Sequence, residues 1–132
     1  MDLLAQLCTA VTAVILIAVF PFEAFLIDRP WVQRFLCIEP HGIANVHLWS
    51  FCIGARNALA GIGALVGLWI LHYGDESTGV TVVVTVLIYM LLSSLAMGVA
   101  DLLGFWRPRG GSVRGTVASS VLPAFSLLVI AV

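Results

Sequence analysis

Glu23, Arg56, Asn57 and Asp101 stand out because each interrupts or closes a long stretch of apolar sequence. An arginine stays charged in every environment and its planar fork donates two parallel hydrogen bonds to a carboxylate. Arg56 bridged to Glu23 first and Asp101 second, with Asn57 beside it, would make a polar cluster. Such a cluster can hold helices together or seat a small, weakly acidic molecule. The bland reading is that Arg56 snorkels and the two acids reach headgroups or water. There is no second acidic group deep in a helix to continue a proton relay. No nucleophile–base pair accompanies the four residues, so no catalytic residue is assigned and the chain is expected not to be an enzyme. Cys37, His41 and His47 sketch a metal site without a fourth ligand of clear spacing, and Cys8, Cys37 and Cys52 form no C-x-x-C. No metal and no cofactor is expected. Gly61-Ile62-Gly63 lies in an apolar run with no strand before it, so it is not a dinucleotide fingerprint.

The elements that must carry these residues are four uncharged runs, at residues 3–22, 57–74, 77–100 and 115–132. Each is about 18 residues or longer, the length of an α-helix that crosses roughly 30 Å of hydrocarbon. A chain of 132 residues with 61% hydrophobic residues, 10% charged residues and mean hydropathy +1.12 cannot hide that much apolar surface from water. The expected fold is all-α: a polytopic membrane protein of four transmembrane helices, at about 3–26, 48–73, 79–104 and 113–132. One four-helix domain over residues 1–132 leaves no room for a soluble domain. With Asp2 and no basic residue before Arg29, the first run reads as a retained helix and not a signal peptide.

Arginine placement orients the chain. The first connection holds Arg29 and Arg34, the third holds Arg107, Arg109 and Arg114, and the second holds only Asp75 and Glu76. Cytoplasmic loops are enriched in Lys and Arg. Both termini and the acidic loop are therefore expected outside, in the inner (plasma) membrane of a bacterium, where all-arginine usage suits GC-rich coding. A net charge of -1 without charge blocks leaves nothing to attract nucleic acid.

In the first connection Asp28 suits an N-cap and Pro30 a first turn. Trp31, Phe35 and Ile38 then share a face while Gln33 and Arg34 point elsewhere. This predicts a short interfacial helix with Trp31 and Phe35 as anchors. Arg107 and Arg109, in a Pro/Gly turn, are expected to anchor the third loop to anionic headgroups. Gly54, Ala60, Gly63 and Gly67, with Ser94 and Gly98, mark helix-packing faces, and Pro123 should kink the last helix.

The chain resembles the small four-helix bacterial membrane proteins of domain of unknown function family 1304. The likeness lies in Glu23-Ala24-Phe25, Pro30, Phe35, Gly54 and Asn57, Ala60-Gly61, Gly98 and Pro123-Ala124. The run at 52–57 looks like the family's Asn-Gln-Gly-x-Tyr-Asn, with Cys52 and Ile53 in place of the first two polar residues and Arg56 in place of the Tyr. Leu16 stands where the family often has a His. The resemblance implies the fold and no particular activity.

Two functional expectations follow. The leading one is an accessory or scaffold subunit in a lipid bilayer, facing a membrane protein partner or a second copy through its small-residue rows. The alternative is a binder or transporter of a small hydrophobic or weakly acidic molecule at the Glu23/Arg56/Asn57/Asp101 cluster.

Overall fold

A computed structural model describes residues 1–36, 43–105 and 109–132, with the backbone alone at 43–45. Among the described residues five helices follow one another: α1 (Leu3–Ala24), α2 (Pro30–Leu36), α3 (Ile43–Tyr73), α4 (Glu76–Leu102) and α5 (Val113–Ala131). There is no β-strand among the described residues. α1, α3, α4 and α5 contain the four candidate spans, Leu3–Ala24, Val46–Tyr73, Glu76–Leu102 and Val113–Ala131, each long and apolar enough to cross a membrane. α1 packs on α3, α3 on α4, α4 on α5, and α5 returns to α1, closing a ring. The chain is a multi-pass membrane protein with an all-helical, four-span bundle.

Helix boundaries have local causes. Asp2 accepts a hydrogen bond from the Leu4 amide and caps α1. The end of α1 comes at Ala24, shorter than expected, where the Phe25 and Leu26 amides both turn back to the Pro21 carbonyl. α4 starts three residues earlier than the expected residue 79, because Asp75 accepts from both the amide and the hydroxyl of Thr78, each at 2.7 Å. Such a cap satisfies amides that a helix start leaves unpaired. α3 likewise extends back to Ile43.

Small side chains set the spacing between helices. The core is built from Ala13, Ala60, Ala64, Val83, Leu87 and Met90. A Cβ on Gly61 would lie 2.6 Å from the Ala13 carbonyl oxygen, and one on Gly67 2.8 Å from Val83 Cγ2. At Gly79 a Cβ would collide with the backbone nitrogen of Leu71, so the α3–α4 hairpin closes only over glycine. In lipid, where water does not drive helices together, such close approach is a main source of association.

In the most apolar stretch of each span only 22%, 33%, 22% and 11% of residues are buried, so most large apolar side chains face outward, toward lipid. α2 lies against the end of α1: Trp31 and Phe35 each stack edge-on to Phe22, with centroids 5.6 and 6.4 Å apart. Its exposed face carries Trp31 and Phe35, while Val32 and Gln33 turn inward. Gln33 donates to the Ile27 carbonyl at 3.1 Å. Ile38 lies outside the described residues.

Candidate functional site

The expected single cluster is three separate places. The first is the seam between α1 and α3. Ser50, Gly54 and Asn57 recur at i, i+4 and i+7, so they share the face of α3 turned to α1. Asn57 donates to Glu23 Oε2 at 3.2 Å, and the Ser50 hydroxyl donates to the Glu23 carbonyl at 2.7 Å. Gly54 makes room between them: a Cβ there would lie 3.0 Å from Glu23 Cβ and 3.1 Å from both Glu23 Oε2 and Phe20 Cδ2. Phe20, Phe25 and Phe51 close around this end with edge-on ring pairs 5.7 to 6.0 Å apart. Glu23 thus bonds helix to helix. Its acceptor role toward an amide needs no cation.

Arg56 corrects the expectation of a Glu23–Arg56 or Asp101–Arg56 bridge. Successive helical residues are about 100° apart around the axis. With Asn57 turned to α1, Arg56 faces away from that seam and is exposed. No acidic side chain among the described residues pairs with it. It opens instead on a groove of about 430 Å³ between α3 and α4, lined also by Leu59, Ala60, Thr85, Val86 and Tyr89. The Thr85 hydroxyl is committed to the Thr81 carbonyl. Arg56 sits three to four residues from the middle of Val46–Tyr73, about 5 Å along the axis at ~1.5 Å per residue.

Asp101 forms the third place. It is buried, 6% exposed, and accepts from the Gly110 amide at 2.9 Å, the Ser112 amide at 3.0 Å and the Ser112 hydroxyl at 2.8 Å. These bonds tie the α4–α5 connection to the end of α4. Gly104 and Gly110 turn that connection with φ of +80 and +86, the left-handed region where glycine carries no penalty. The Arg109 side chain folds back beside Gly104. Arg107 lies outside the described residues, as do Cys37 and His41. Among the described residues no group of three His, Cys, Asp or Glu side chains is placed to hold a metal.

The small-residue rows lie along helix–helix contacts, with Gly63 and Gly98 half-buried. Gly63 and Gly67 face Val86 and Val83 of α4, and Gly98 faces Thr116 of α5. Ala60 and Ser94 are each 8% exposed, with the Ser94 hydroxyl returned to the Met90 carbonyl. These contacts pack the rows against neighbouring helices of the bundle. Ser50, which sequence reasoning passed over, was signalled by its spacing from Gly54 and Asn57.

No curated protein and no solved structure matches the chain. A family profile does, over residues 10–131. It covers most of α1, the whole of α3, α4 and α5, and with them Glu23, Asn57 and Asp101, and the chain belongs to that family, protein of unknown function (DUF1304).

Proposed function

We propose that the chain binds a small hydrophobic molecule with an acidic head, laid in the groove between α3 and α4 with its carboxylate on Arg56. The observation that carries this reading is Arg56 itself: a permanent cation near the middle of a span, opening on an apolar groove with no acidic partner among the described residues. A charged side chain at mid-membrane costs at least ~2.5–3.5 kcal/mol. A carboxylate with an apolar body offsets that cost, because its head pairs with the guanidinium by two hydrogen bonds while its tail covers Leu59 and Val86. Tyr89, at the groove wall and 44% exposed, offers a hydroxyl as a further donor. The other polar places have internal duties: Glu23 and Asn57 join α1 to α3, and Asp101 holds the α4–α5 connection.

A long-chain carboxylic acid bearing a photoreactive group in its chain tests the placement. Irradiated with the full chain in neutral-lipid nanodiscs, it should label peptides containing Leu59 or Val86, and excess unlabelled acid should abolish the labelling. Labelling spread evenly over all four spans, and unaffected by competitor, would overturn the proposal.

A further inference from the structure

The α3–α4 groove holds polar groups of two kinds. Thr85 and Tyr89 line it together with Arg56; the first two are one turn apart on the same face of α4. The Thr85 hydroxyl already donates to the Thr81 carbonyl at 2.8 Å. A hydroxyl has one proton and two lone pairs. The Thr85 oxygen therefore has acceptor capacity left and no proton to give, so it suits a donor and not a carboxylate. Arg56 only donates. Packing sets the distance between these opposite preferences. Gly63 faces Val86 and Gly67 faces Val83, so α3 and α4 run antiparallel and the Arg56 backbone is level with Ser93 and Ser94. Thr85 lies eight or nine residues from that level, about 13 Å along the axis at ~1.5 Å per residue. It is four residues from the middle of the Glu76–Leu102 span, a depth at which hydrocarbon offers a ligand's polar group no partner.

We infer that the molecule on Arg56 is a long-chain acid with a hydroxyl partway along its chain, donated to the Thr85 oxygen. This inference rests on the proposed pairing of the carboxylate with Arg56, and it adds Thr85 as the residue that sets specificity among such acids. A chain hydroxyl left unpaired in hydrocarbon is costly; on Thr85 it is satisfied at the depth where the chain passes. A cationic donor is disfavoured by the Arg56 charge in the same groove, which water does not screen there. An amide would bring a carbonyl that needs a donor of its own, whereas a hydroxyl adds none. Thr81 returns its hydroxyl in the same way to the Ser77 carbonyl, but it does not line the groove.

Three acids titrated into the full chain in neutral-lipid nanodiscs, with empty nanodiscs subtracted, read the site: stearic acid, stearic acid hydroxylated at mid-chain, and stearic acid hydroxylated beside its carboxyl group. The mid-chain hydroxy acid should bind about fivefold more tightly than stearic acid, the gain expected of one neutral hydrogen bond. The acid hydroxylated beside its carboxyl group should show no such gain. In Thr85→Val the mid-chain hydroxy acid and stearic acid should bind alike, whereas Thr85→Ser, which keeps the hydroxyl, should keep the preference. Equal binding of those two acids by the wild-type chain overturns the inference without any variant needing to fold. So does a preference that survives in Thr85→Val, or an equal gain from the hydroxyl beside the carboxyl group. Methyl stearate separates the two readings. If stearic acid outbinds its ester while the mid-chain hydroxyl adds nothing, this inference alone fails. If acid and ester bind alike, the Arg56 pairing fails and this inference with it.

Discussion

At the residue scale, the neighbours Arg56 and Asn57 have opposite fates. Both were legible as polar groups in apolar sequence, and so was Glu23. Which of them meet was not, because that depends on how α3 is rotated against α1. The spacing of Ser50, Gly54 and Asn57 held the answer: a glycine flanked by two small polar residues on one helical face marks where another helix's polar group approaches. Asn57 therefore takes the Glu23 carboxyl and Arg56 is left to the groove. A double-mutant cycle separates the two arrangements. Glu23→Leu and Asn57→Leu should be coupled by roughly 0.5–3 kcal/mol in unfolding experiments in detergent, as contacting residues are. Glu23→Leu and Arg56→Leu should add to within about 0.5 kcal/mol. Coupling of Glu23 to Arg56 would restore the bridge that the structure lacks. Asp101 was legible only as an acid near a helix end; its three donors lie nine and eleven residues away across a turn, a distance at which local spacing carries no signal.

At the element scale, the four spans follow from run length and hydropathy, and α2 from Pro30 and its aromatic spacing. Helix ends were less legible because side-chain caps set them. Asp75 shows why. The Thr78 hydroxyl and then the Thr78 amide hold its carboxyl below the usual carboxylate range. A carboxyl lowered in this way stabilises the folded chain fully above its unfolded value of about 3.9, and that contribution is lost as pH falls through the lower folded value. The melting-temperature difference between wild type and Asp75→Ala should thus be constant from neutral pH to about pH 5 and shrink below about pH 4. A difference that grows on acidification would contradict the cap.

The glycine rows were read as packing faces, but the sequence could not say which neighbour they face, since an interior row and a partner-facing row look alike. In the structure a Gly67 Cβ would press on Val83 at 2.8 Å to its side chain and 3.1 Å to its backbone nitrogen. Gly67→Leu should therefore destabilise the isolated chain by about 1–3 kcal/mol or more, seen as a lower unfolding midpoint in detergent. An unchanged midpoint together with a lost co-purifying protein would return the row to an external partner.

At the scale of the whole molecule, one end of the bundle carries α2, Glu23, Asp101 and the arginine-bearing connections, and the other carries the termini and the Asp75–Glu76 turn. We propose that the arginine end is cytoplasmic, because basic residues concentrate in cytoplasmic loops. In a background without native cysteines, a cysteine at Asp75 should react with a membrane-impermeant maleimide on intact cells, and one at Gly110 should react only after permeabilisation. The reverse pattern would invert the chain.

The central claim is that Arg56 serves as the counter-charge for an acidic hydrophobic ligand, and a comparison of a long-chain carboxylic acid with its methyl ester tests it most directly. The two differ in charge and share the apolar tail. Titrated into the full chain in neutral-lipid nanodiscs, with empty nanodiscs subtracted, the acid should bind about tenfold or more tightly than the ester, the equivalent of one lost charge-assisted bond of ~1.5 kcal/mol or more. In Arg56→Leu the acid should fall to the level of the ester. Equal binding of acid and ester by the wild-type chain, or an acid affinity unchanged in Arg56→Leu, would contradict the account.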